Sequence, residues 1–305
     1  MEMDARRPPR ILASEIQSTI DSFPNEVREE PGRLMFTLAV TIIRHFLGKR
    51  WCEQNILQDA GQTRPPGFLR VSFMRGFEGE RMNARILDLA ENLFNLQLVE
   101  GFDDRVDQLR TGDIESTIAE FDLARFLYIH DLAFKFVMPK GERGKDFDFA
   151  VNFADGRDAC VDAKCRLEET EVRPETIRNC LNKARQFNLP SNKPGIIFVK
   201  VPQTWMEDDA VRASMRDVIK DFERNTGRVV SVVLYTIAAS AIADREMVLM
   251  RHRFLEYPNP SHRFDATKAW TLFKDYQVPR EWGGMHPKWV RVLSKGFLFG
   301  ERNER

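Results

Sequence analysis

The chain has 305 residues, of which 43% are hydrophobic, so it carries enough apolar side chains to bury a large core. Its 46 basic residues balance its 46 acidic residues, and a net charge of zero excludes a protein that coats nucleic acid by bulk electrostatics. The longest apolar run is broken by Arg44 and His45, no signal peptide is visible and the four cysteines are expected to be reduced, so we expect a cytoplasmic protein without a membrane partner.

The N-terminal third is predicted to be helical. Residues 1–12, which include RRPPR, are expected to form a disordered basic arm. Ser14 is a suitable N-cap for a first helix, and residues 34–51 are apolar nearly all round, as expected of one buried helix. The segment GQTRPPGFLR is predicted to be a loop. We assign residues 13–110 to a helical domain that would bind a protein partner or a second copy of the chain, or would position substrate.

After Gly101 the pattern alternates between helix and strand. Asp113 or Thr111 is expected to cap a helix that runs to about Asp131, and LAFKFVMP is predicted to be a strand. Two strands joined by a tight turn follow in GKDFDFAVNFADGRDACVDAKCR. A helix with Pro174 in its first turn and the apolar strand PGIIFVKVP come next. The predicted fold class is therefore α/β, with a mixed sheet built in the order helix, three strands, helix, strand.

The C-terminal third is predicted to lengthen this sheet. A helix over about residues 207–225 is followed by the strands RVVSVVLYTIAAS and REMVLMRHRFLEY, and we place the domain that begins at residue 111 as ending at residue 257. Residues 258–305 form a basic extension that contains Trp270, Trp282 and Trp289. These tryptophans suit either stacking on nucleic acid or packing as an accessory layer.

The turn of the predicted hairpin sets which side chains share a face. The sequence FADGR suits a type I turn followed by Gly156 in the left-handed conformation, which places Phe153 opposite Arg157. On that register one face of the hairpin is apolar, with Phe147, Phe149, Val151, Phe153, Val161, Ala163 and Cys165.

The other face of the hairpin is predicted to be ionic. Asp148 lies opposite Asp162, and Asp146 lies opposite Lys164. Two carboxylates about 5 Å apart repel by roughly 3 kcal/mol at an effective dielectric constant near 20, so a positive group is expected between them. Mg²⁺ or Mn²⁺ would take two carboxylates and a backbone carbonyl and leave positions for a phosphate oxygen and a water. Lys164 could orient or help deprotonate that water, which predicts a phosphodiester hydrolase.

Asp148 followed by Asp162-Ala163-Lys164, in the predicted order of elements, resembles the PD-(D/E)XK nuclease superfamily with its restriction-endonuclease-like core. The resemblance covers about residues 111–202. It implies an Mg²⁺- or Mn²⁺-dependent endodeoxyribonuclease in which Asp148 and Asp162 are metal ligands and catalytic residues. It also implies that Lys164 is the catalytic lysine and that the carbonyl of Ala163 is a further metal ligand.

The resemblance implies further site residues on the two helices that flank the hairpin. A glutamate from the preceding helix would complete the metal and catalytic set, with Glu120 as the first choice and Glu115 as the second. The helix after the hairpin offers candidate substrate-binding residues, namely Gln186, Lys183, Arg178 and Arg185.

The predicted function is therefore that of a metal-dependent nuclease. Its expected partner is nucleic acid, with DNA favoured over RNA. A partner-guided effector in antiviral defence or in the processing of mobile elements is compatible with the helical N-terminal region. Two alternatives remain open, a non-catalytic nucleic-acid or protein interaction module with the same fold and an RNase.

Overall fold

The computed structural model describes residues 8–57, 69, 77–165, 171, 173–241, 248–272, 280–282, 289 and 293, so the predicted loop GQTRPPGFLR lies outside it except for Leu69. The chain divides into two compact units. The first comprises Met1–Arg125, Ala241–Leu249 and Met285–Arg305, and the second comprises Phe126–Ser240 and Met250–Gly284. Within the described ranges no helix is long and apolar enough to span a membrane. The domain limits predicted after residues 12, 110 and 257 stay predictions.

The first unit is built from helices. They are α1 (Ala13–Asp21), α2 (Asn25–Arg28), α3 (Pro31–Leu47), α4 (Lys49–Asn55), α5 (Phe77–Leu96), α6 (Phe102–Thr111) and most of α7 (Ile114–Ile129). The predicted single helix over residues 34–51 is wrong, because Gly48 adopts φ 89° and separates α3 from α4. A positive φ of this kind suits glycine, which has no Cβ to clash.

The start of α1 differs from the prediction by two residues. Its N-cap is Leu12 rather than Ser14, and the Leu12 N–H donates to the Glu15 carboxylate at 2.7 Å. The preceding residues are tied to the same unit, since Arg10 pairs with Asp103 at 2.7 Å. Residues 1–7 of the predicted arm lie outside the described residues.

Helix α7 begins as the sequence predicts. The Asp113 carboxylate accepts hydrogen bonds from the N–H groups of Glu115 at 3.1 Å and Ser116 at 3.4 Å, so Asp113 rather than Thr111 is the cap. The helix ends at Ile129, close to the predicted position. It leads directly into the first strand of the second unit.

The second unit contains a mixed sheet, except that residues 241, 248 and 249 at the ends of two strands belong to the first unit. Its elements are β1 (Ala133–Phe136), β2 (Phe149–Asn152), β3 (Asp158–Cys165), α8 (Pro174–Lys183), a π-helical turn (Ala184–Asn188), β4 (Gly195–Lys200), α9 (Gln203–Glu207), α10 (Asp209–Arg224), β5 (Val229–Ala241), β6 (Val248–Pro258) and β7 (Arg280–Trp282). The strands lie in chain order across the sheet. The β1–β2, β2–β3 and β6–β7 pairs are antiparallel, and β3, β4 and β5 run parallel. The α/β class and the order helix, three strands, helix, strand are confirmed.

Helices α8 and α10 cover one face of this sheet and form a continuous apolar core with it. Its members include Ile177 and Leu181 of α8, Ile219 of α10 and the alternate residues Ile197 and Val199 of β4. Because Ile196 and Phe198 of β4 are buried as well, this strand is covered on both faces. The almost wholly apolar sequence of β4 is thereby explained.

The C-terminal extension packs against the protein where its tryptophan side chains are described. Trp270 is buried, with the Arg157 guanidinium 4.3 Å and the Phe153 ring 5.7 Å from its ring centre. In the first unit Trp289 is buried and donates from Nε1 to Glu91 at 3.2 Å. For these two residues the accessory-layer interpretation is favoured over stacking on nucleic acid. The side chain of Trp282 lies outside the described part.

A buried carboxyl group near the end of α10 makes stability depend on pH. Burial raises the pKa of Glu223 to about 8, with Lys220 opposing it, and Oε1 accepts no hydrogen bond within the described residues. The Glu223 carboxyl loses its proton near pH 4.5 in the unfolded chain and near pH 8 in the folded chain. The free energy of unfolding therefore falls as pH rises between these two values. We expect Glu223→Gln to raise the melting temperature at pH 8 by a few degrees and to change it little at pH 4. Equal melting curves of parent and variant at pH 8 would contradict this.

Candidate active site

The hairpin between β2 and β3 has the predicted turn. Gly156 adopts φ 83°, its N–H donates to the Phe153 carbonyl at 2.9 Å, and the Phe153 N–H donates to the Arg157 carbonyl at 2.8 Å. The ladder continues with Phe149 opposite Val161, which is the register predicted from the turn. The turn sequence therefore fixes which residue of β3 lies opposite each residue of β2.

A bulge interrupts this ladder at its far end. Asp148 donates its N–H to the Val161 carbonyl at 2.9 Å, although Val161 is already the partner of Phe149. Two residues on one strand thus share a single partner, as in a β-bulge, which re-aims the side chain at that point.

Asp146 lies beyond the bulge in the loop before β2. Its carboxylate accepts hydrogen bonds from the N–H groups of Lys140 at 2.8 Å and Glu142 at 3.4 Å. The prediction that Asp146 lies opposite Lys164 is therefore wrong, because the strand pairing stops before that residue. Asp146 organises the loop instead.

The structure brings Asp148 and Asp162 together. The Asp148 carboxylate reaches across to accept a hydrogen bond from the Ala163 N–H at 2.7 Å. Both acids are buried, Asp162 completely. Burial, followed by the negative charge of Asp148, raises the pKa of Asp162 to about 6. Two buried acids so placed repel each other as carboxylates, and a nearby cation relieves that repulsion.

In the protein alone, Lys164 supplies that positive charge. Its Nζ lies 2.6 Å from the Asp162 carboxylate and 3.2 Å from the carbonyl oxygen of Ala163. The lysine thus contacts two of the oxygen groups that the sequence predicts as metal ligands. Acid, carbonyl and lysine converge because the period of two in β3 places Asp162 and Lys164 on the same face.

A residue that the sequence analysis missed completes this cluster. Asn188 donates from its side-chain amide to the second oxygen of Asp162 at 2.7 Å. It is the last residue of the π-helical turn, in which the Leu189 N–H donates back to the Ala184 carbonyl at 3.0 Å. The signal was an amide near the end of the helix after the hairpin, but the sequence points equally to Gln186, which is exposed.

The other candidate substrate-binding residues, Arg178, Arg185 and Lys183, differ in their exposure and in their contacts. Arg178 pairs with Asp221 of α10 at 3.5 Å. Arg185 donates to the Asn225 carbonyl at 2.9 Å, and Lys183 is exposed. Their proposed contact with substrate stays a prediction.

Glu120 belongs to the first unit. Its carboxylate forms an ion pair with Arg105, whose side chain is fully buried. Glu115, the second choice, is half-buried and uses its N–H to bind the capping Asp113. The role of either glutamate as a metal ligand stays a prediction.

The donor set of the second unit fits a hard divalent cation. Within the described ranges, no group of three or more His, Cys, Asp or Glu side chains is arranged to hold a metal ion. The site offers two carboxylates, from Asp148 and Asp162, and the Ala163 carbonyl. Mg²⁺ commonly binds through one or two carboxylates while it keeps several waters, so this smaller set is sufficient for it.

Comparison with known proteins gives no match from which the role of this site could be inferred. The positions of Asp148, Asp162, Lys164 and Asn188 are fixed by the hairpin and by the π-helical turn. No protein-family model and no curated protein sequence matches the chain.

Proposed function

We propose that the chain is a metal-dependent nuclease whose second unit has the restriction-endonuclease-like core of the PD-(D/E)XK superfamily. The observation that carries the proposal is the convergence of Asp148, Asp162 and Lys164 on one end of the β2–β3 hairpin. An ordinary ion pair between Lys164 and Asp162 does not need a second buried carboxylate beside it, and burying both acids has a large desolvation cost. A site selected for metal and phosphate chemistry accounts for that cost.

The residues have separate tasks in this proposal. Asp148, Asp162 and the Ala163 carbonyl would hold Mg²⁺ or Mn²⁺. The bound ion would supply Lewis-acid stabilisation of a phosphate oxygen and a more acidic water. Asn188 holds one oxygen of Asp162 and thereby fixes the direction of the other. Lys164 would turn from Asp162 toward the water and the phosphate, where its charge offsets the negative charge that builds on phosphorus.

The test is cleavage of nucleic acid by the full-length protein. Supercoiled plasmid DNA and a folded RNA are incubated with the protein in Mg²⁺, in Mn²⁺ and in EDTA. Metal-dependent nicking of the plasmid supports the proposal, and cleavage of RNA alone would replace it with the RNase alternative. Binding of nucleic acid with no cleavage under any of these conditions would favour the non-catalytic module.

A second expected result connects the two carboxylates to metal binding. An ion that binds only the folded chain stabilises it by RT ln(1 + [M]/Kd), about 1.4 kcal/mol at ten times the dissociation constant. We expect Asp148→Asn to raise the melting temperature of the metal-free protein, because it removes one of two like charges, and to abolish most of the rise produced by Mg²⁺ or Mn²⁺. Thermal melts with and without metal measure both effects.

The matched control is Asp158→Asn on the same hairpin. Asp158 is exposed and pairs with Lys193 at 2.6 Å, so its loss removes one carboxylate without touching the site. This variant should respond to metal as the parent does. An Asp148→Asn protein with the parental metal response would show that Asp148 and Asp162 do not share an ion.

A further inference from the structure

A second feature of the second unit is a group of arginines close to one another. We call it the arginine surface, and its members are Arg143, Arg185, Arg228 and Arg263. Burial, followed by the positive charges of Arg185, Arg263 and Arg143, lowers the pKa of the Arg228 guanidinium. Within the part of the chain that the structure describes, none of the four forms an ion pair with a carboxylate. Like charges held together in this way are stabilised by an anion from outside the chain.

Backbone contacts bring these arginines together from four segments of the chain. Arg143 donates from Nε to the Gln186 carbonyl at 2.8 Å, and Arg228 donates to the Arg185 carbonyl. The N–H of Arg263 donates to the carbonyl of Gly227, beside Arg228, at 2.8 Å. Two of these contacts are to the π-helical turn, which therefore forms the centre of the arginine surface.

An exposed aromatic ring lies within the arginine surface. The Phe187 side chain is 52% exposed although it is large and apolar. The Arg143 guanidinium lies 5.7 Å from the centre of its ring. Phe187 is held in place through its backbone, since its carbonyl accepts a hydrogen bond from the Gly144 N–H at 2.6 Å. An exposed ring beside guanidinium groups that form no ion pair with a described carboxylate is typical of surfaces that stack a base and neutralise its phosphates.

The arginine surface and the candidate active site share one element. Asn188, one residue after Phe187, binds Asp162 from the same π-helical turn. We propose that the arginine surface binds the sugar-phosphate backbone of a nucleic-acid strand that continues from the Asp148–Asp162 site, with an unpaired base stacked on Phe187. The link to a scissile phosphate rests on the proposed nuclease function, whereas the binding of a single strand does not depend on it.

Binding of a labelled single strand in EDTA tests the surface without any cleavage. Fluorescence anisotropy of the full-length protein is recorded at several salt concentrations. We expect Arg143→Gln/Arg263→Gln to weaken binding and to reduce the slope of log K against log salt by about 1.4, since each lost phosphate contact on a single strand contributes about 0.7. Phe187→Ala is expected to weaken binding at least about five-fold with an unchanged salt slope, because stacking is not an ionic contact.

The charge-matched control is Arg33→Gln/Arg216→Gln. Both side chains are exposed, and they pair with Glu30 at 3.2 Å and Asp217 at 4.0 Å. This variant loses the same charge and should keep both the parental affinity and the parental salt slope. Equal losses in the two double variants would show that only net charge matters and would overturn the proposal.

Other outcomes also decide between the two proposals. If the parent does not bind the strand, or binds polyglutamate equally well, the assignment of the arginine surface to nucleic acid fails. If the arginine and Phe187 variants lose binding while the parent cleaves nothing in Mg²⁺ or Mn²⁺, the surface stands and the nuclease function fails. If the parent cleaves and all variants bind alike, the nuclease function stands and the surface fails.

Discussion

Asp162→Asn is expected to lower the rate of metal-dependent cleavage by at least about 10²- to 10³-fold, the usual cost of removing one group that stabilises the transition state. The amide has the shape of the carboxylate but not its charge, so it holds a divalent ion poorly. Asp162 is fully buried beside Asp148, and the substitution also removes their repulsion. We therefore expect the fold to survive the loss of activity.

Lys164→Ala should lower the rate to a similar extent for a different reason. It removes the only described cation that contacts the Asp162 carboxylate and the Ala163 carbonyl, while the predicted metal ligands remain. The variant should thus still gain stability from Mg²⁺ although it cleaves slowly. Initial rates of plasmid nicking, with circular dichroism to check folding and Asp158→Asn as the control, measure these effects. Full activity in both variants would reject the assigned site.

The largest expected effect on stability comes from the apolar side of the same hairpin. Phe149 is fully buried, with the rings of Phe136 and Phe134 at 5.2 Å and 5.9 Å from its own. Phe149→Ala should reduce the free energy of unfolding by about 3 to 5 kcal/mol, because it leaves a cavity among these rings. Urea denaturation measures the loss, and the remaining folded protein should still respond to metal.

Phe187→Ala is the matched control for stability. It removes the same side chain from a position that is 52% exposed, where surface substitutions usually change stability by less than about 0.5 kcal/mol. If the two variants unfold at the same urea concentration, Phe149 is not part of a packed core.

The sequence predicts the hairpin well because its register depends on local chemistry. The left-handed conformation that the turn requires at Gly156 sets the pairing of Phe149 with Val161, with no information from the rest of the chain. The same holds for the cap of α7 by Asp113. Such features can be predicted because one or two side chains decide them.

Features that depend on distant backbone were not predicted. The bulge at Asp148 has no sequence marker of its own, and without it Asp146 would continue the strand. The π-helical turn has no sequence marker either. The sequence therefore indicates Gln186, whereas the amide that binds Asp162 is that of Asn188. Gly48 did carry a signal, but the apolar residues on both sides of it suggested one continuous helix.

The π-helical turn makes the site depend on the number of residues in the chain. A π-helical turn holds one residue more than the α-helical turn it replaces. Deleting a single residue within Ala184–Asn188 would let α8 continue as a regular helix. Four residues instead of five would then share this turn, so the side chains that remain in it would point in new directions. Asn188 would then leave Asp162, and Phe187 would leave Arg143, although every side chain involved would still be present. In evolution, therefore, one lost codon in this turn could disconnect the candidate site from its neighbouring surface without changing any of the charged residues.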